Sequence, residues 1–522
     1  MIKTNDFTPA KTAGRVPALR GAPVLVLACL IAITAQALYA GGSREQAARP
    51  LVMALSGNPD TLDPQRTSGT LTFQTLKSVY DTLVEPDRDG NITGALAESW
   101  ETSPAGLIWT FRLRSGVVFH NGDGFTSADV KATLERIKDP ATASPKASEY
   151  AAISAIEAPD PLTVVIRLSK PYAPLLATLA SGWSAIMPHR LIETGHDFSS
   201  NPVGTGPFRF VEWVRDDSIR LVKNERYWME GVPKLDAVTL RIIPEASVQL
   251  QGLLTGAIDI AEGIVPEDIG VLERNPDTTY ERSLSSIVMV LAMNVSRPGI
   301  SNPEFRKAVN HAINRQQVLD IAYGGGEVTG TFMDSGDPFF TDFSGLYGYD
   351  PERARGIFAS LGADTTGRTY DLVLPQNYPP HVKAGEIYQE MLSRAGLSVR
   401  IRLVDWSTWL SEIYTHGRYD FTVIGHTGKL DPDGRLAGYG TGSSYVRWEN
   451  QEAAALIDRA RKTADFEERK RLYTEVLGIM AREVPQVYTG TAYRYIGLRK
   501  NVSGFLLTPK LDTYDFRWCE KR

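Results

Sequence analysis

Short stretches of alternating apolar and polar residues run through this 522-residue chain, interleaved with segments whose apolar residues fall three and four positions apart. The run 51–55 is apolar throughout and is closed by Ser56-Gly57-Asn58-Pro59, which predicts a buried strand ending in a turn. Residues 109–114 alternate, with Trp109, Phe111 and Leu113 on one side, and predict a half-buried strand. Stretches 164–168 and 208–213 read the same way. A helix capped by Ser127 would carry Val130, Leu134 and Ile137 on one face. Asn302 before Pro303 predicts a helix start, with Phe305, Ala308, Val309, Ala312 and Ile313 as its buried stripe. Ile387, Met391 and Ala395 share a helix face, Gly396 ends that helix, and Leu397, Val399, Ile401 and Leu403 follow at period two as a strand. Two late helices are marked by Leu456, Ile457 and Ala460, and by Tyr473, Val476, Leu477 and Met480 before Pro485. Strands and helices interleave without repeats or low-complexity linkers, so the fold class is α/β.

The first forty residues break this pattern. Lys3, Lys11, Arg15 and Arg20 precede an apolar run from Ala22 to Leu38 and the small residues Ala40, Gly41 and Gly42. This is the layout of a secretory signal peptide over 1–40, followed by a linker over 41–49. Retained, the run is long enough to serve as a membrane anchor. Cleavage removes four positive charges and one negative, taking the formal net charge from −5 to −8. An acidic body argues against nucleic acid as a partner. Cys29 lies in the leader and Cys519 in what reads as a polar tail, so the exported chain forms no internal disulfide.

Spaced clusters then narrow the class. They include Leu62-Asp63-Pro64, Tyr80-Asp81-Thr82-Leu83, Leu96-Ala97-Glu98-Ser99-Trp100 and Gly116-Val117-Val118-Phe119-His120-Asn121-Gly122. Further on come Gly204-Thr205-Gly206-Pro207-Phe208, Phe305-Arg306-Lys307-Ala308-Val309-Asn310, Asp405-Trp406 and Asp431-Pro432-Asp433. In this order the chain resembles family 5 of the bacterial extracellular solute-binding proteins, the dipeptide, oligopeptide and nickel-binding group. The resemblance implies a bilobed periplasmic-binding-protein fold of type II character with a hinge. Lobe I would span 50–283, with an inserted sub-domain about 70–197, lobe II 284–484, and 485–522 would return to lobe I. The crossings would lie at 285–294 and 484–488. It also implies a monomer that carries a peptide-like or other small polar solute to an inner-membrane ABC permease with its ATPase. Most of the clusters read as scaffold: glycines in turns, tryptophans in the core, and Asp129 in a first helical turn.

The segment 424–433 bears on the ligand. In peptide-binding relatives a carboxylate here pairs with the free α-amino group of the peptide, and in this chain Lys429 stands about where that aspartate would be. A lysine suits a carboxylate or phosphate, or is a solvated surface residue. His426 would stack on a ligand or serve as a structural histidine, and Asp431 is a ligand contact or a turn residue. Ser56 and Asn58 end the first strand, where α/β lobes present polar groups. Trp183, Trp406, Tyr445 and Trp448 are candidate aromatic walls or core residues. The expected solute is polar with at least one anionic group; an oligosaccharide, an opine-like conjugate, a nickel or haem complex, and a sensory role on the same scaffold are the alternatives.

Catalytic patterns are not found in the sequence. Gly425 to Lys429 is too short for a phosphate loop and Leu430 stands where Ser or Thr is required. Neither a His-Glu-x-x-His nor a Gly-x-Ser-x-Gly motif occurs, and the seven histidines are scattered. The sequence therefore predicts a binding protein with no cofactor and no metal centre, not an enzyme.

Overall fold

The apolar run at the start becomes the strand Leu51–Leu55, buried at four of its five positions and hydrogen-bonded in parallel to Ala237–Ile242 on one side and Ile260–Ile264 on the other. In this computed structural model the described residues are 50–67, 69–87, 90–508 and 513–522. The predicted leader over 1–40 and linker over 41–49 lie outside them. None of the described helices is long and apolar enough to cross a membrane.

Eleven described strands form one mixed sheet. Across it the order is Ser398–Val404, Thr369–Pro375, Phe421–His426, Thr278–Met293, Gln486–Arg499, Ile260–Ile264, Leu51–Leu55, Ala237–Ile242, Ser218–Lys223 and Phe208–Val214, with Gly326–Glu327 added beside Gln486–Arg499. Two strands, of 16 and 14 residues, run the length of both halves. Their ladder is continuous from Thr278↔Arg499 to Leu284↔Tyr493, breaks, and resumes at Val288↔Thr491. The break leaves residues 285–287 out of this ladder, opposite Ala492, and the Ser286 carbonyl accepts from Arg435 Nη2 at 2.6 Å instead. Just beyond it, Gly490 has φ +141°, and a Cβ there would stand 2.2 Å from the Glu327 carbonyl oxygen, so only glycine lets the short strand approach.

The cores divide accordingly. Leu51, Met53, Val238, Leu240, Ile496 and Leu498 pack together on one side of the break. On the other, Val288, Val290, Phe332, Val373 and Tyr473 form one cluster, and Leu291, Phe305, Leu372 and Tyr388 a second. A separate four-stranded sheet, in the order Ala97–Thr102, Ile108–Leu113, Thr163–Leu168 and Ile153–Asp160, has its own core of Phe111, Leu134 and Val164 under the helix Ser127–Lys138.

Two local readings need correcting. The residue before the Ser127–Lys138 helix is Thr126, and Ser127 is its first helical residue. The Asp129 carboxylate accepts from the Thr126 backbone N–H at 2.7 Å, a back-bond that Ser127 is one position too late to receive. Asp129 also holds His189, 2.7 Å from its Nδ1, so this acid serves the scaffold. The C-terminal stretch is not a polar tail: Cys519 is fully buried beside Tyr514 and Phe516, and burial pushes its thiol far above the ordinary range. The helix Pro303–Ala312 does start as read, with Asn302 accepting from the Glu304 N–H at 2.9 Å.

Candidate functional site

A cavity of about 560 Å³ opens where the ladder breaks. Ser286 and Ile287 of the interrupted segment line it, between the helix Thr70–Leu76 with the stretch 172–185 on one wall and residues 427–437 on the other. The second wall exists because the strand Phe421–His426 ends at the cavity and delivers Thr427, Gly428 and Lys429 beyond its last pairing, Val288↔His426.

Buried ion pairs hold that wall. Asp431 is gripped by Arg469 Nη2, at 2.9 Å to Oδ1 and 2.7 Å to Oδ2, and also accepts the Asp433 N–H at 3.0 Å. Asp433 in turn takes Arg461 Nε at 2.8 Å. The arginines belong to the helices Phe466–Glu483 and Gln451–Lys462, so the loop is fixed to two packed helices. On the facing wall Trp183 donates its Nε1–H to the Thr67 carbonyl at 2.8 Å and meets Phe73 edge-on, with ring centres 4.5 Å apart. Gly182 permits that contact, since a Cβ there would lie 2.3 Å from the Phe73 ring.

Charge distinguishes one residue among the lining groups. Lys77 is paired with Glu85 at 2.6 Å and Lys146 with Glu149 at 2.6 Å. Asp431 and Asp433 have their arginines. Lys429 alone among the described charged residues on the cavity wall has no counter-ion. Burial, with Lys146 and Arg435 adding repulsion, lowers its ammonium to about 8 despite the opposing pull of Glu149. Its side chain runs along Gly434, whose Cβ would come within 3.1 Å of Lys429 Cγ. Thr513, almost fully buried on the same cavity, has a hydroxyl with no partner among the described residues.

Of the residues singled out from sequence, Trp183, Lys429 and Asp431 come together at this cavity, Asp431 as the anchor of its loop. The other six lie off its wall. Ser56 is exposed and gives its backbone N–H to Glu262 at 2.6 Å. Asn58 pins a turn, donating to Asp216 Oδ1 at 2.6 Å and accepting the Asp216 N–H at 3.1 Å. Trp406 stacks on Trp409 at 5.1 Å. His426 Nε2 lies 2.8 Å from the Tyr445 hydroxyl, which donates to Gln486 Oε1 at 3.2 Å. Burial, reinforced by Arg435 and Lys429, lowers the His426 imidazole to about 3, so it is neutral. Trp448 is likewise core, donating to Glu483 at 2.7 Å.

Sequence reading missed Phe73, Lys146, Glu149, Ser286 and Thr513 as lining residues. Lys146 and Glu149 sit three apart, an ordinary surface spacing, and nothing local announces that their turn faces a cavity.

The chain is similar to known proteins in both sequence and fold. The sequence model of the family described as bacterial extracellular solute-binding proteins, family 5 Middle, matches residues 91–445. The glutathione-binding protein GsiB of Salmonella paratyphi A is 30% identical over 476 residues, covering 89% of this chain and 93% of that protein. The binding protein AgaA from A. tumefaciens R10, solved in complex with agropinic acid, is 29% identical with a TM-score of 0.77, covering 91% of this chain and 99% of that one. DppA from Helicobacter pylori, solved with the peptide STSA, is 26% identical with a TM-score of 0.76, covering 92% and 100%.

Proposed function

The chain belongs to the bacterial extracellular solute-binding proteins of family 5, and from that membership we propose that the cavity at the ladder break captures a small polar solute bearing an anionic group. The carrying observation is Lys429, the lining charge without a counter-ion among the described residues. An unpaired half-buried ammonium is costly, and a carboxylate or phosphate entering the cavity offsets that cost. Trp183 and Phe73 offer an apolar wall, and the Thr513 hydroxyl a polar contact. GsiB is named for glutathione and AgaA was solved with agropinic acid, both acidic molecules, which supports an anionic solute, while DppA was solved with the peptide STSA.

The two lobes are 50–283 with 485–522, and 284–484, and the hinge is the break at 285–287 opposite Ala492. A solute touching both walls favours closure by binding the closed form more tightly than the open one. The closed protein, a monomer exported by its leader and working in the periplasm, then hands the solute to an inner-membrane ABC permease with its ATPase.

A thermal-shift screen of protein unfolded and refolded to strip carried solute tests this. The panel holds acidic conjugates, neutral peptides, sugars and nickel chelates. A solute at a hundred times its dissociation constant adds roughly 2.7 kcal/mol of stability. Hits confined to neutral peptides or sugars would contradict the anionic reading.

A further inference from the structure

The charges around Trp183 specify more than an anion. Lys146 Nζ stands 5.1 Å and Lys429 Nζ 5.9 Å from the centre of the Trp183 ring, so two ammonium groups gather around one indole. One carboxylate accompanies them. Glu149 Oε1 takes Lys146 Nζ at 2.6 Å, and its side chain is 36% exposed, facing the cavity. The group therefore carries two positive charges and one negative. A neutral dipeptide would leave one positive charge uncompensated. A dicarboxylate without an amine would overshoot by one and push against Glu149. A solute with two carboxylates and one ammonium balances the group and gives each charge a partner.

We propose that the cavity recognises the head of an acidic α-amino acid or its conjugate, with carboxylates held by Lys146 and Lys429 and the free ammonium taken by Glu149. This rests on the reading of the cavity as the solute site. It assigns Glu149, on the wall opposite residue 429, to the amine. Its wall matters chemically: residue 429 and Glu149 approach the solute from different lobes, so one amino-acid head bridges both and favours the closed state.

The test is calorimetric titration of the exported chain with γ-glutamylglycine, with N-acetyl-γ-glutamylglycine, and with glycylglycine. The first has one ammonium and two carboxylates, the second lacks the ammonium, and the third is a neutral zwitterion. γ-Glutamylglycine is expected to bind, and acetylation to weaken it roughly ten-fold or more, the scale of one lost charge-assisted hydrogen bond. Glu149→Gln is expected to weaken γ-glutamylglycine by a similar factor while leaving the acetylated acid unchanged or tighter, because Lys146 is released. That opposite movement separates recognition from damage, and an unchanged melting curve verifies the fold. Failure of γ-glutamylglycine to bind, or equal response of both acids to Glu149→Gln, overturns the assignment. If both acids bind alike and glycylglycine does not, the cavity remains an anion site and only the amine contact falls; if only glycylglycine binds, the anionic reading falls as well.

Discussion

His426 and Lys429 are three residues apart, yet the fold treats them in opposite ways. His426 ends a central strand and is absorbed into a chain of internal hydrogen bonds through Tyr445 to Gln486, edge-on to Phe332. Lys429 has left the sheet and faces a cavity with no counter-ion among the described residues. Both groups have lowered affinities for protons, and burial is the main cause in each. For the histidine, burial makes a neutral structural group. For the lysine, it leaves a charge whose cost a solute can offset. A perturbed group points to function only when its own surroundings leave it unsatisfied.

The sharpest way to break this contrast is at the anchor between the two settings. Asp431→Ala removes one partner of a buried ion pair with Arg469, and is expected to destabilise the protein by about 3–5 kcal/mol in a urea titration. A loss under 1 kcal/mol would mean that the loop does not depend on that pair. Next comes Tyr445→Phe, which strips His426 and Gln486 of their shared hydroxyl. It is expected to cost about 1–3 kcal/mol while leaving solute affinity unchanged. A fall in affinity there would place His426 in the binding chemistry.

A pH series separates the two residues directly. With its ammonium near 8, Lys429 is charged below that pH and loses charge above it, so affinity for an acid should hold between pH 6 and 7.5 and fall as pH passes 8. The stability of the solute-free protein should move the other way. Between 8 and the unfolded value near 10.5 the unfolded chain binds the extra proton, so the penalty that is full below 8 is relieved as pH rises. Affinity should show no step near 6.5 from His426, whose imidazole is already neutral in the folded protein; stability, by contrast, should decline as pH falls below 6.5, because the unfolded histidine takes up a proton there and the buried one does not. The smallest effect is Ser56→Ala: only its backbone N–H is engaged, so affinity and melting temperature should both stay put.

How much of this was readable in the sequence depends on how local the physics is. Strand Leu51–Leu55 and the helix at Pro303 were legible because apolar period and capping act within a few residues. Trp183 and Lys429 were picked out, one as a large aromatic and the other by its departure from relatives. The hidden part is set by distance along the chain. Lys146 and Glu149 become cavity groups only because residues 427–437 fold back beside them, nearly three hundred positions later. Asp431 became an anchor through Arg469, 38 residues on. Ser56 and Asn58 looked like site residues at a strand end, but Glu262 and Asp216, both far away in sequence, had claimed them.

The most direct test of the central claim is to titrate an acidic solute found in the screen, and its neutral amide, into the native protein and Lys429→Ala. The account predicts that the acid loses roughly ten- to a hundred-fold in affinity on Lys429→Ala, while the amide binds weakly and equally to both proteins. Equal affinity of the acid for the two proteins would contradict it, because the charge that singles out this cavity would then have no part in holding the solute.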